Sequence, residues 1–304
     1  MSKLTPFGIV IRKLRLEKGL KLLDMAEALE MSVAYLSAVE TGRKPIPDGL
    51  VGKISRSLKW PADELAQLNR AIDKSRKEVR VEQHAPEERE LIAAFARQLD
   101  DVPKVTIEQL RKIFNLKSID GEAPFERKRR GIVVPPLGKK VIWDYADMVR
   151  DKFLPPETVA LPIIKILEFG MPRVSPEFVF DVQDADEMGD DEGRVPVGGN
   201  ELILRSDVYE RACREGSRDR FTASHELGHY LMHRRITLAR ARGDEDKIYT
   251  DSEWQADTFA GSLLMPRRHA SKFRNSDEMA EACIVSPRAA AVMWEKYREE
   301  GLVQ

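Results

Sequence analysis

The stretch RFTASHELGHYLMH, Arg220 to His233, contains His225-Glu226-Leu227-Gly228-His229, a match to H-E-x-x-H. Side chains four apart on a helix lie one above the other on the same face. His225 and His229 can therefore turn two imidazoles toward one ion, with Glu226 one position round and within reach of a water at that ion. Two neutral nitrogens as ligands and a carboxylate as general base are what hydrolysis at a bound zinc requires. The flanks favour a helix. Thr222 or Ser224 can cap or start a turn, and Phe221, Leu227, Tyr230 and Leu231 give an apolar side for packing. A core helix whose histidines bond to the backbone is the competing reading, and the pentapeptide alone does not decide between them.

The third ligand does. Two histidines leave a tetrahedral site one protein ligand short, with a water in the last position. Downstream lies Thr250-Asp251-Ser252-Glu253-Trp254-Gln255-Ala256-Asp257-Thr258-Phe259-Ala260, followed by Gly261-Ser262-Leu263-Leu264-Met265-Pro266. Trp254, Phe259, Leu263 and Leu264 read as a buried helix that ends before Pro266. Glu253 and Asp257 share one face, so the first can ligate a metal while the second hydrogen-bonds a ligating imidazole. Acidic residues at a helix N-terminus are also favoured by its dipole, which accounts for Asp251 and Glu253 better than for Asp257.

Together the two segments closely resemble the ImmA/IrrE family of metallo-endopeptidases, which are gluzincin-like. The family pattern is H-E-x-G-H, then E-x-x-A-[ND]-x-F-A and a leucine-rich stretch ending Met-Pro. The resemblance covers roughly the last half of the chain. It implies that His225, His229 and Glu253 are the metal ligands, Glu226 the catalytic base and Asp257 the acid behind a ligand. It also implies zinc as the cofactor, with manganese as the alternative for this ligand set. Where the family often has a second acid before the Ala, this chain has Gln255, taken as a harmless departure. His233 lies four past His229, but a straight helix carries it about 6 Å further along the axis. It is expected to line the cleft and donate to an oxyanion; Tyr230, Tyr249 and His269 are the other candidates for that donor.

Length and composition limit what surrounds this centre. A chain of 304 residues has room for about two domains. Hydrophobic residues at 42% suffice for packed cores, and the net charge of −1 gives no global push toward nucleic acid or membrane. Cys213 and Cys283 lie far apart without a C-x-x-C, which suits unpaired thiols in a reducing compartment. No apolar run approaches the ~20 residues needed to span a bilayer, and the N-terminus lacks a signal-peptide core. A cytoplasmic protein with no membrane partner is expected.

Residues 7 to 60 read as short helices in close succession. Phe7, Ile9 to Ile11 and Leu14 mark the first, stopped near Gly19; Leu22, Met25, Ala26 and Leu29 mark the second. A tight turn at Glu30-Met31-Ser32 leads into Val33 to Glu40, and Leu50 to Leu58 makes a fourth. Two helices joined by so short a turn are the helix-turn-helix signal. The run from Met25-Ala26 through Met31-Ser32-Val33-Ala34-Tyr35-Leu36-Ser37-Ala38-Val39-Glu40-Thr41-Gly42-Arg43-Lys44-Pro45 resembles the Xre/Cro family of repressor domains. That family lays the second helix of the pair in the major groove of duplex DNA. Ser32, Ala34, Tyr35 and Ser37 would then be the exposed, groove-facing set, with Arg43 and Lys44 on phosphates. Lys21-Leu22-Leu23 lacks the glutamine with which many relatives begin their second helix. A small helical bundle for protein contact is the competing reading.

The fold class expected is a mainly α helix-turn-helix bundle followed by an α+β zincin-like metallopeptidase domain with a small sheet. The divisions are a helix-turn-helix domain over 1–70, a helical extension over 71–119, a basic Pro/Gly linker over 120–140 and a metallopeptidase domain over 141–304. In the extension, helices over 87–99 and 106–116 can pair two subunits as a homodimer or pack within one chain. His84 reads as solvated there, and Arg127 to Arg130 as part of a solvated linker. Within the last domain, Ile142 to Phe153 and Thr158 to Phe169 look helical. Glu177 to Val182 and Glu201 to Arg205 look like strands, the second suited to line a substrate as an edge strand. The acidic stretch Asp181 to Glu192 misses the calcium-loop spacing and reads as a solvated loop. A terminal helix from Pro287 to Tyr297 buries Ala290, Val292, Met293 and Trp294.

Two function classes follow. In the first, a DNA-binding regulator carries a working metallo-endopeptidase that cuts a protein partner of the repressor or antitoxin class. In the second, a non-enzymatic repressor or antitoxin-like module uses the peptidase fold to sense a metal or a partner. Glu226 favours the first, since a sensor has no need of the base.

Overall fold

Thr5 and Pro6 set the start of the first helix. The Thr5 hydroxyl accepts from the Gly8 amide at 3.0 Å, and Pro6 fills the first position of α1 (Pro6–Glu17). In the computed structural model, the described residues are 4–75, 134–234 and 250–304. The helices expected over 87–99 and 106–116, His84, Arg127 to Arg130 and Tyr249 lie outside them.

Four more helices follow: α2 (Leu22–Ala28), α3 (Val33–Glu40), α4 (Leu50–Leu58) and α5 (Ala62–Ser75). Glu30 turns the chain between α2 and α3 at φ +50°, and the Ser32 hydroxyl caps α3 by accepting from the Tyr35 amide. Phe7, Ile11, Met25, Leu36, Val39 and Ile54 are buried between these helices. Apolar spacing therefore placed this bundle correctly. Inside it, Glu40 receives Arg12 Nε at 3.1 Å and Arg15 Nε at 3.0 Å. Burial alone would raise the Glu40 carboxyl, but Arg15 and Arg12 outweigh it and hold its pKa below the usual value.

In the second described segment come α6 (Lys139–Phe153) and a helical run over 163–174 that passes through a π turn at Ile166–Gly170. The helix expected from Thr158 starts only at Ile163. Pro162 keeps Leu161 out of the helical region, because a residue before proline is pushed toward extended backbone. A three-stranded sheet follows, with β1 (Val179–Gln183), β2 (Gly193–Arg194) and β3 (Glu201–Arg205) in the order β1-β3-β2. β3 runs parallel to β1, from Val179↔Glu201 to Gln183↔Arg205, and antiparallel to β2. Glu201 to Arg205 is thus the central strand. The edge beside the candidate site belongs to β2, which two residues are too short to announce.

Among the described residues five α-helices follow: α7 (Ser206–Cys213), α8 (Ser217–Met232), α9 (Ser252–Leu264), α10 (Ser276–Cys283) and α11 (Pro287–Glu299). α9 is the central member and packs on both α8 and α6. Trp143 of α6 meets Tyr297 of α11 edge-on, with ring centroids 5.3 Å apart. Val292, expected in the core, is 51% exposed on the outer face of α11. Both cysteines are free thiols. Among the described residues no helix is long and apolar enough to cross a membrane.

Candidate metal centre

The crossing of α8 and α9 brings the two sequence motifs together. Gly228 permits it: a Cβ there would stand 3.0 Å from Phe259 Cδ1 and 3.3 Å from Ala256 Cα, both on α9. The start of α9 is fixed by Asp251, whose carboxylate accepts from the Glu253 amide at 2.8 Å. As a result His225, His229 and Glu253 place ligand atoms within 4.8 Å of one another.

The separations suit a small ion. His225 Nε2 lies 3.3 Å from Glu253 Oε2, and His229 Nε2 lies 3.4 Å from Glu253 Oε1. The two Nε2 atoms are 2.9 Å apart. Four-coordinate zinc, with bonds of about 2.0–2.1 Å, sets its ligand atoms roughly 3.3 Å apart. The donors are two imidazole nitrogens and one carboxylate, the set of catalytic zinc sites that keep one position open.

Behind each imidazole a partner fixes its proton. His225 Nδ1 is 2.8 Å from Asp257 Oδ1, so Nδ1–H donates there and the Nε2 lone pair faces the site. His229 is held differently. Its Nδ1 is 3.0 Å from His233 Nδ1, and His233 Nε2 is 2.9 Å from Gln255 Oε1. Gln255 Nε2 in turn donates to the Pro135 carbonyl at 3.0 Å. A carbonyl only accepts, so the amide nitrogen faces Pro135 and the amide oxygen faces His233. His233 must then donate from Nε2 and accept at Nδ1, and His229 presents its own Nε2 lone pair inward.

His233 is therefore not the expected cleft donor. It sits behind a ligand, since its ring reaches back along α8 to His229. Tyr230 is buried, with Arg234 donating to its hydroxyl, and His269 is buried in the turn after α9; neither lines the groove. Gln255, read as harmless, holds the far end of the relay. The separation of Gln255 from His233 in sequence hid that link.

Charge follows from these contacts. Burial lowers His225, but hydrogen bonds to Asp257 and Glu253 push it up to about 10. Hydrogen bonds from His225 and His229 hold Glu253 below its ordinary value. A proton and a metal compete for the same lone pairs, so binding an ion releases protons. Burial brings His233 down to about 4, only partly offset by Gln255, and leaves it neutral. Burial also raises Glu226, against the pull of His225 and His229.

Glu226 lies at a groove of about 330 Å³ between the 190–193 segment and α8. Asp190, Asp191, Phe221, His225, Glu226 and Asp257 line it. Gly193 of β2 closes onto Glu226: a Cβ there would meet Glu226 Cγ at 2.5 Å. Nothing in the HExxH pattern signals this glycine.

The residues expected to touch DNA are arranged otherwise than expected. Ser32 is exposed, and Tyr35 is half-buried beneath Lys44, whose Nζ lies 5.2 Å from the ring centroid. Ala34 and Ser37 are buried, contrary to the exposed groove-facing set. Ser37 Oγ donates to Asp181 Oδ1 at 2.7 Å, and Arg43 Nη2 donates to the same oxygen at 3.0 Å. Arg43 also pairs with Glu187. Asp181, read as part of a solvated loop, is instead buried in β1.

Comparison with known families agrees with both halves of the sequence reading. Residues 203–294 match the family model of the IrrE N-terminal-like domain, a peptidase family, and residues 6–68 match a helix-turn-helix domain. No curated protein and no solved structure matches the chain.

Proposed function

We propose that this chain, which joins a helix-turn-helix domain to an IrrE-type peptidase domain, is a cytoplasmic transcriptional regulator that cleaves a protein partner of the repressor or antitoxin class. The observation that carries the reading is the convergence of His225, His229 and Glu253 beside Glu226 in an open groove. A site serving only to sense or to hold a metal would need no base at that position.

His225, His229 and Glu253 would hold the ion, with zinc favoured and manganese the alternative. When bound, it would polarise the scissile carbonyl and acidify a water. Glu226 would take a proton from the attacking water and hand it to the leaving amine. Its burial suits the task, because a carboxylate raised toward neutrality accepts a proton more readily. Asp257 keeps His225 in the tautomer that ligates, and His233 does the same for His229. The β2 edge beside Glu226 offers backbone pairing to an extended partner segment.

Cells carrying wild type, Glu226→Gln or His225→Ala test the reading through transcript profiles and the abundance of candidate partners. Glu226→Gln should lose the regulatory response, as His225→Ala does. A Glu226→Gln strain that matches wild type in every readout, while His225→Ala does not, would make the metal structural or sensory.

A further inference from the structure

The strand β1 occupies one edge of the sheet, and three of its outward backbone groups bond to side chains of the helix-turn-helix domain. Phe180 and Val182 are the residues whose backbone faces away from β3. Arg12 Nη2 donates to the Phe180 carbonyl at 3.0 Å. The Val182 amide donates to Ser37 Oγ at 3.0 Å, and Arg43 Nη2 donates to the Val182 carbonyl at 3.2 Å. Side chains from α1, α3 and the turn after α3 thus replace a neighbouring strand, which is how an exposed sheet edge is covered.

The contact continues at the start of α2. Glu168, buried on the π turn, accepts from Arg15 Nη1 at 2.7 Å, from the Leu22 amide at 2.9 Å and from Tyr209 Oη at 2.6 Å. The Leu23 amide donates to Tyr209 Oη at 3.2 Å. Peptidase-domain side chains therefore serve amide groups in the first turn of the first helix of the pair, groups a free domain would leave to water.

The face of α3 that meets β1 carries Ala34, Ser37 and Ala38, with Thr41 just past the helix end, all buried. Its other face, with Val33, Leu36 and Val39, packs into the bundle core. No Arg, Lys, Asn or Gln, the main base-reading side chains, occurs in VAYLSAVE, which is apolar nearly all round. A helix of that composition is one buried on all sides. Meanwhile Asp181 and Glu187 supply carboxylates to Arg43, where DNA would supply a phosphate.

We propose that the outward face of α3 is a docking surface for the β1 edge, and that duplex DNA and β1 compete for it. The helix-turn-helix domain then grips DNA only when released from the peptidase domain. This rests on the DNA-binding reading of that domain. A helix cannot enter a major groove about 12 Å wide with a strand bonded along the same face. Affinity for DNA is accordingly reduced by the fraction of molecules that are undocked. Any event that loosens β1, such as occupation of the neighbouring groove by a partner, would free the DNA-binding face.

The full-length protein tests this with a random-sequence 30-base-pair duplex at low salt, followed by fluorescence anisotropy. Asp181→Ala combined with Glu187→Ala removes the carboxylates from the peptidase side and leaves every expected DNA contact intact. That variant should bind roughly tenfold or more tightly than wild type, with a steep salt dependence. Hydrogen exchange on the wild type gives a second readout independent of the variant's folding. Saturating duplex should speed exchange at the Leu22 and Val182 amides. Equal affinity of the two proteins, or duplex bound with both amides still protected, overturns the competition. Absence of binding by either protein, with those amides deprotected in the variant, overturns the DNA reading on which the competition rests.

Discussion

His233 Nε2 donates to the Gln255 amide oxygen at 2.9 Å, and its other ring nitrogen takes the Nδ1 proton of His229 at 3.0 Å. Gln255 thus sets the tautomer of His229, a proposed metal ligand that it does not touch. Gln255→Leu should keep the fold and lower zinc affinity by about 10–100-fold, the usual cost of losing such a partner. Gln255→Glu still accepts from His233 but sets a buried carboxylate against the Pro135 carbonyl, and it should weaken the metal as well. His233→Ala should weaken the metal yet retain it at stoichiometric zinc, whereas Glu253→Ala should lose most of it. Competition with a chromophoric chelator measures all four. Wild-type affinity in Gln255→Leu would remove the relay from the account.

Gly193 leaves room for the base, since a Cβ would come within 2.5 Å of Glu226 Cγ and 3.1 Å of its Oε1. Gly193→Ala should therefore displace the Glu226 carboxylate while leaving His225, His229 and Glu253 in place. Zinc content should be unchanged and turnover should fall, by up to the 10²–10⁴-fold typical of general acid–base groups. Zinc stoichiometry and single-turnover cleavage, measured together, separate this from simple unfolding. Full turnover in the variant would show that the backbone gives way freely here.

Glu40 is a carboxylate whose pKa is held down in the folded chain, where Arg15 and Arg12 outweigh the effect of burial. A group of this kind contributes stability above its unfolded pKa of about 4.3, and that contribution is lost as pH falls through the lower folded value. Glu40→Gln leaves buried Arg12 without its anion and Arg15 with Glu168 alone, and should cost about 3–5 kcal/mol at pH 7. The gap to wild type should narrow on acidification below about pH 4.3. Thermal melts across that range check it, and a gap independent of pH would mean that charge plays no part at this site.

The candidate metal centre was legible because its proposed ligands lie in two short helical segments, each with its own periodicity. His225, Glu226 and His229 sit on α8 and Glu253 and Asp257 on α9, as the spacing predicts. Strand β3 also falls at its expected residues, Glu201–Arg205. What the pattern did not carry were relationships between distant segments. Gln255 to Pro135, Gly193 to Glu226 and Ser37 to Asp181 each depend on tertiary packing. One sign was available in advance: VAYLSAVE has no strongly polar outward side, and a helix lacking one is expected to be covered by another element.

The central claim is that Glu226 is a base at a metal held by other residues. Zinc-loaded wild type and Glu226→Gln, purified as full-length proteins and added to a lysate, can be compared by mass spectrometry of newly formed protein N-termini. Both should carry the same zinc, because Glu226 is not among the converging ligand atoms. A discrete set of new N-termini should appear with wild type and be absent with Glu226→Gln. The same N-termini produced at the same rate by both proteins, at equal zinc content, would contradict the account.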